Sequence, residues 1–332
     1  MSDPGITGEM SQPLPGPNRE HVRDSVTVLI PAYNAGPFLH RAVHSALNQT
    51  WPPLEVLVVD DCSTDDTAAV AQKLSLAGPH VRLVRLHENG GPAKARNAGL
   101  DAARGEWVAV LDADDAFVPE RLERLTRIGC DLNADVVNDN FLWYDATKNS
   151  VGSPGIPSSS AVEIIDRYEF VRHSQTSKNN EADWGLLQPM IRRRFLNEHN
   201  IRYPTSLRHG EDFLFMIDLL MAGARFVLVR TPGYLCTTRP SGLSQTKLDY
   251  DTMAAHTVAL LRRDGIRSDE GLKRLLSKRA SAIRRLSAER KLQSYSRTHS
   301  YRRLALLLTD YWMAEAVVRF GLRKVRRCLS WP

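Results

Sequence analysis

Gly105-Glu106-Trp107-Val108-Ala109-Val110-Leu111-Asp112-Ala113-Asp114-Asp115 is the stretch that decides the fold of this 332-residue chain. Its apolar run reads as a buried strand, and it stops in three carboxylates within four positions. Burying unpaired charge is costly, so these groups must face water, a cation or a ligand. In open α/β sheets, ligands bind outside the carboxyl ends of strands. Asp112 and Asp114 alternate, which lets both reach one divalent ion if the chain stays extended. Hard carboxylate oxygens suit Mg²⁺ or Mn²⁺, and such ions commonly arrive with substrate phosphates. Read alone, an Asp-x-Asp is also what an acidic turn after a strand looks like.

The flanking sequence repeats the pattern. Residues 26–30 (VTVLI) are a β-branched strand, followed by turn chemistry in Pro31-Ala32-Tyr33-Asn34-Ala35-Gly36. Phe38, Leu39, Ala42, Val43, Ala46 and Leu47 fall on one face of a helix that ends before Trp51-Pro52-Pro53. Residues 54–59 form a second strand, closing on Asp60 and Asp61. Ser63 with Asp66 reads as a helix N-cap and its acidic N3 partner. Of the two carboxylates, Asp60 is equally well a capping group, whereas Asp61 is placed to accept the donors of a pyrimidine ring or a ribose hydroxyl. Residues 81–86 predict a third strand. The loop His87-Glu88-Asn89-Gly90-Gly91-Pro92 follows, in which Gly91 lets backbone approach a ligand closely. Ala95, Ala98, Gly99 and Ala102 then give a helix a small-residue face. Lys94 reads as solvated charge, while Arg96 and Asn97 are the functional candidates near a helix N-terminus that favours anions. Strand, helix, strand, helix, strand, helix, strand is the start of a doubly wound α/β fold.

These segments, in order and spacing, carry a resemblance. Residues 28–34 (VLIPAYN), Gln49-Thr50-Trp51, residues 58–65 (VVDDCSTD), Asn89-Gly90-Gly91-Pro92, residues 95–99 (ARNAG) and residues 111–115 (LDADD) are together similar to the inverting family 2 glycosyltransferases of the GT-A fold. The likeness is dense over residues 26–125 and looser to about residue 245. It implies a nucleotide-sugar half over 25–125, an acceptor half over 126–245 and a helical extension beyond. By resemblance, Pro31, Ala32, Tyr33, Asn34 and Asp61 hold the nucleoside of a UDP-sugar. Asp112 and Ala113 lie near ribose and metal, and Asp114 binds the metal. Glu211-Asp212 matches the family's acidic pair: Asp212 is the general base toward an acceptor hydroxyl and Glu211 supports it. The segment from Tyr234 to Ser244 resembles the family's Tyr/Arg/Ser loop beside the diphosphate, with Arg239 as phosphate ligand. Cys236 departs from that pattern, standing where an aromatic residue is common.

Elsewhere the sequence speaks less specifically. Residues 136–143 predict a strand, 152–160 a Gly/Pro/Ser-rich mobile loop, 187–195 a helix, 213–220 a helix ending near Gly223, and 225–229 a strand. Trp184 offers a ring to stack on a sugar, although a lone Trp is more often core.

Bulk properties set the surroundings. The net charge of +6 conceals an asymmetry: residues 262–327 hold 19 Lys/Arg and 6 Asp/Glu. A basic helical stretch with interspersed Tyr and Trp suits an anionic membrane surface better than nucleic acid, with an oligomer contact as the plain alternative. No run approaches the ~20 apolar residues of a membrane span. Residues 1–24 read as a disordered leader, without the apolar core of a signal peptide. Cys62, Cys130, Cys236 and Cys328 have no paired spacing, which fits a reducing cytosol.

The expected protein is therefore a cytoplasmic enzyme, peripheral on the inner face of the plasma membrane. It moves one sugar from a UDP-sugar to a polyprenyl-diphosphate-linked or saccharide acceptor in surface polysaccharide assembly. The Gln-x-x-Arg-Trp motif of processive synthases is absent. Two rival readings are a sugar nucleotidyltransferase, for which residues 28–36 lack the Gly-rich basic signature, and a nucleotide-sugar-binding protein without activity, against which Asp112, Asp114 and Asp212 speak.

Overall fold

The computed structural model describes residues 24–175, 181–238 and 248–297. Residues 1–23, Arg239 with the rest of the loop to 247, and the basic stretch from 298 lie outside the described residues. The first half alternates as its periodicity predicts: β1 (Val26–Ala32), α1 (Gly36–Leu47), β2 (Glu55–Asp60), α2 (Thr67–Ala77), β3 (Val81–Arg85), α3 (Pro92–Ala102) and β4 (Trp107–Val110). There follow β5 (Ala116–Phe117), α4 (Arg121–Asp131), β6 (Val136–Asp145), β7 (Ser150–Pro154), β8 (Val162–Ile165), α5 (Arg167–His173), β9 (Met190–Arg192), α6 (Arg193–Glu198), α7 (Glu211–Met221), β10 (Phe226–Thr238), α8 (Tyr250–Leu260) and α9 (Glu270–Arg297).

One sheet organises the molecule, in the order β3-β2-β1-β4-β9-β6-β10-β5, with β7 on β6 and β8 on β10. β3, β2, β1 and β4 run parallel; β9 enters antiparallel between β4 and β6. The chain moves outward from β1 to β3, then returns to add β4 on β1's other side. That reversal leaves a crevice beyond the carboxyl ends of β1 and β4, where open α/β sheets bind ligands. The turn after β1 and the acidic end of β4 are the two lips of this crevice. A mixed, doubly wound sheet flanked by helices, extended by α8 and α9, is the GT-A arrangement.

Local sequence explains most of it. β1, β2 and β4 are buried on both faces, so they are continuous apolar runs rather than alternating ones. In α1, Leu39, Ala42, Val43 and Ala46 are buried as their spacing predicts, while Leu47 turns outward. α3 needs its small face: a Cβ on Gly99 would stand 2.0 Å from Leu29 Cδ1. Leu260, Ile266, Leu272 and Leu276 join the same core, so α8 and α9 pack onto α5 and α7. Tyr168 fastens this contact by donating to Asp269 at 2.6 Å. Among the described residues no helix is long and apolar enough to cross a membrane.

Three local expectations are corrected. Residues 187–195 are not one helix: Met190–Arg192 is β9, and the helix begins at Arg193. A short apolar run has no decisive period, and here the gap between β4 and β6 is filled by a strand. Residues 152–160 are partly strand β7, and the remainder is anchored. Ile156 is buried, and its N–H and C=O both bond the Asn140 amide. Ser63 does not cap a helix; α2 starts at Thr67, and Ser63 Oγ accepts the Asn34 N–H at 3.0 Å.

Candidate active site

The β1 lip is built by hydrogen bonds to the end of β2. Asn34 adopts φ 49°, and its Oδ1 accepts the Thr64 N–H at 2.9 Å. Ala35 donates its N–H to Thr67 Oγ1 at 2.8 Å. The buried Ala32 accepts the Asp61 N–H at 2.8 Å. Pro31 forms part of β1, and Tyr33 is left 47% exposed at the mouth, the one large ring on this lip.

Asp60 and Asp61 separate into two roles. Asp60 Oδ1 accepts the Ser63 N–H at 3.1 Å, shaping the turn. Asp61 braces the glycine loop: its carboxylate accepts Gly90 N–H at 2.9 Å, Gly91 N–H at 2.7 Å and Asn89 Nδ2 at 3.0 Å. Burial raises its pKa above the ordinary value, against the opposing pull of those amides. A carboxylate has about four acceptor positions, so one remains for a ligand donor. Gly91 has φ +82°, a left-handed conformation that L side chains rarely adopt, and it opens α3.

The β4 lip is held from behind. Tyr234 on β10 donates its hydroxyl to Asp115 Oδ2 at 2.7 Å and accepts the Asp112 N–H at 3.1 Å. Asp115 also accepts Thr237 N–H at 2.7 Å. Burial, with Asp112 and Asp114 adding to it, pushes the Asp115 carboxyl well above the usual range. Asp115 is thus a buried brace, while Ala113 is buried and Asp112 and Asp114 are half-buried at the mouth. Arg41 of α1 donates to the Asp114 carbonyl at 2.5 Å and to Thr237 Oγ1, and its guanidinium lies 4.6 Å from the Tyr144 ring centre. Both Asp112 oxygens are engaged, one by Arg96 Nη2 at 3.0 Å and the other by Gln188 Nε2 at 2.9 Å.

Arg96 is the centre of the site. It is buried on α3, with Nη1 2.8 Å from Glu211 Oε1 and 3.2 Å from Asp212 Oδ1. Burial by itself would lower its pKa; Asp212, Asp112 and Glu211 outweigh that and hold it well above the usual value. Tyr203 lies over the guanidinium at 5.3 Å and stacks on Phe215 at 3.8 Å. Asn97 pins that segment by exchanging two 2.8 Å bonds with the Tyr203 backbone. Gly210 at φ +82° then opens α7, placing Glu211 and Asp212 in its first turn. Burial pushes the Asp212 carboxyl up to about 8; Arg96 opposes the rise, and Glu211 and Asp112 add to it. Asp212 Oδ1, Arg96 Nε, Tyr203 Oη and Gln188 Oε1 are buried atoms without a hydrogen-bond partner.

The sequence-predicted residues therefore divide. Arg96, Asp112, Glu211 and Asp212 converge, and Asp114 shares their lip. Arg96 meets the acidic pair rather than standing open to a phosphate. Trp184 is corrected: it is 1% exposed, stacked on His173 at 4.3 Å with Arg230 over it at 5.3 Å, and offers no face to a sugar. Arg239 lies outside the described residues. Arg41, Gln188 and Tyr203 went unread, because each acts through a contact distant in sequence and none belongs to a motif. Tyr234 was seen only as part of a loop pattern.

The comparisons agree with this fold. The model for "Glycosyl transferase family 2" matches residues 27–215. The succinoglycan biosynthesis protein ExoO of Rhizobium meliloti is 35% identical over 240 residues, 72% of this chain and 68% of ExoO. ExoU of the same organism is 36% identical over 222 residues, 66% of this chain and 64% of ExoU. The crystal structure of Staphylococcus aureus TarS residues 1–349 with UDP-GlcNAc superposes with a TM-score of 0.63 at 24% identity, covering 76% of this chain and 72% of TarS 1–349; this is a likeness of fold. A GT-A sheet, together with a family match over residues 27–215, makes this chain a member of glycosyl transferase family 2, an enzyme that transfers sugar from a nucleotide-sugar donor with inversion.

Proposed function

We propose that this enzyme moves a single hexose from a UDP-sugar to a hydroxyl of a lipid-linked or saccharide acceptor. The observation that carries the reading is Asp212 at the start of α7, joined through Arg96 to Asp112 at the end of β4. That link sets a base on the acceptor side of the crevice and the acidic β4 end on the donor side.

The uracil and ribose lie along the β1 lip, with Tyr33 and Asn34 at the mouth and the remaining acceptor position of Asp61 toward a ring donor. The glycine loop, with its positive-φ Gly91, permits close approach of the diphosphate. Asp212 takes the proton of the acceptor hydroxyl as that oxygen bonds the anomeric carbon. The anomeric C–O bond to the diphosphate breaks, UDP leaves with the electron pair, and one displacement inverts the centre. A base with a pKa near the working pH suits this task. Glu211, the more deeply buried partner, neutralises Arg96 and leaves the half-buried Asp212 to act as the base.

The β4 end fits Mg²⁺ or Mn²⁺ in a particular way. Among the described residues no group of three His, Cys, Asp or Glu forms a cation cage. Mg²⁺ asks for only one or two carboxylates when phosphates and water complete its shell. Asp114, half-buried at the end of β4, would supply such a carboxylate, and Asp112 beside it bonds Arg96 and Gln188. A bound cation would neutralise charge on the departing diphosphate.

The succinoglycan relatives support a setting in exopolysaccharide assembly, for which a polyprenyl-diphosphate-linked acceptor is our proposal, and the basic stretch of residues 262–327 supports docking on an anionic membrane face. The test is calorimetric titration with UDP, ADP, GDP and CDP, each with and without Mn²⁺. UDP-selective, metal-dependent binding that Asp114→Ala abolishes is the expected result; folded protein that binds no nucleotide would overturn the reading.

A further inference from the structure

α8 and α9 begin beyond the stretch matched by the family model, yet they bear on the first turn of α7 from outside. Arg279, in the middle of α9, is 3% exposed. Its Nη1 donates to Asp183 Oδ2 at 2.8 Å, and its guanidinium lies 3.7 Å from the centre of the Phe213 ring. Phe213 directly follows Asp212. On the other arm, Asp183 Oδ1 accepts the Gly185 N–H at 2.8 Å and so sets the single turn Trp184–Leu186. That turn leads to Gln188, which bonds Asp112. From α8, Met253 closes on the same place: a Cβ on Gly210 would stand 3.1 Å from Met253 Cε. One buried cation of the C-terminal helices thus touches two of the segments that deliver side chains to the crevice.

We propose that Arg279 is a positioning residue for the transfer reaction, holding the Asp212 end of α7 and the Asp183–Gln188 segment in register with the β4 end. The proposal rests on the transferase reading for its consequence and on the packing for its geometry. A buried cation paired with a carboxylate on one side and stacked on an aromatic face on the other has little freedom to shift. An ordinary packing residue in α9 would give stability alone. Arg279 spans two separate site-bearing segments, so its loss should displace both, and misplacement of reacting groups by about 1 Å costs about 10²-fold in rate. The C-terminal helices are then part of the catalytic unit rather than an appendage to it.

The test compares wild type, Arg279→Met, Arg279→Lys and Asp183→Asn in the full chain. UDP with Mn²⁺ probes the donor side, UDP release from UDP-GlcNAc, UDP-glucose and UDP-galactose across pH reads turnover, and hydrogen exchange reads residues 181–188 and 208–216. Arg279→Met should still bind UDP, release UDP at least tenfold more slowly with a shifted pH midpoint, and exchange faster in both segments. Arg279→Lys, which keeps the charge, should recover part of the rate. If Arg279→Met does not fold, Asp183→Asn carries the same expectations. Unchanged exchange in both segments, or a wild-type rate and pH midpoint, would overturn the proposal. Wild type that releases UDP from none of the three donors would instead count against the UDP-hexose reading, and the exchange data would still decide whether Arg279 holds the two segments.

Discussion

Arg96 of α3 and Asp212 of α7 come from opposite halves of the chain and meet at 3.2 Å in the floor of the crevice. The same guanidinium pairs with Glu211 at 2.8 Å and with Asp112 at 3.0 Å. Three carboxylates around one buried cation form a charge cluster that neither half of the sheet could hold alone. The cluster ties the end of β4 to the first turn of α7.

Arg96→Met should therefore destabilise the fold as well as the reaction. It leaves Glu211 buried without its cation, and breaking a buried pair from one side costs about 3–5 kcal/mol. Urea denaturation should show a lower midpoint with an unchanged slope. Adding Glu211→Gln to Arg96→Met should recover part of the loss; no recovery would mean that the Glu211 charge is not the cause.

The protonation of Asp212 has a predictable pH signature. Its folded pKa, about 8, lies above the ordinary aspartate value of 3.8, so the folded state binds more protons across that window. The stability this group contributes is present in full below the lower value and is lost as pH rises through the upper one. Activity moves the other way: the base works deprotonated, so kcat/KM should climb toward a midpoint near 8. Asp212→Asn should lower kcat by about 10²–10⁴-fold and flatten the stability profile over that window while sparing UDP binding. A wild-type pH–rate profile in the Asn variant would exclude Asp212 as the base.

Tyr234→Phe isolates the brace behind the β4 lip. It removes the hydroxyl that joins Asp115 to the Asp112 amide, leaving two buried polar groups short of a partner at a cost of about 1–3 kcal/mol. Metal-dependent UDP affinity should fall, since the Asp112–Asp115 turn loosens. Equal UDP affinity in the variant, with or without Mn²⁺, would show that the turn holds its shape without the tyrosine.

Trp184 separates packing from recognition. Trp184→Ala should cost about 3–5 kcal/mol through the cavity it leaves among His173, Arg230 and the core. In the fraction that remains folded, KM for the donor should stay close to wild type. A selective rise in donor KM without loss of stability would restore the sugar-stacking role.

The amino-acid sequence by itself determined the order of elements over residues 26–110 and the kind of chemistry. Continuous apolar runs, the helical spacing in residues 38–47 and the small face of α3 are local statements about which side of each element is buried. Carboxylates at strand ends are likewise local, because no core accepts them unpaired. Only the tertiary structure decided which charges meet. Arg96 was legible as a functional arginine but not as the partner of Glu211 and Asp212, since that contact depends on how α7 returns to the sheet. Gln188 reaches Asp112 because β9 inserts antiparallel beside β4, and the short run that forms β9 has no period to announce it. Trp184 became core, and Arg279 became a strap from α9 to α7. Burial periodicity is encoded within a few residues of each element, whereas ion-pair partners and ring faces are assigned only when separate elements are brought together.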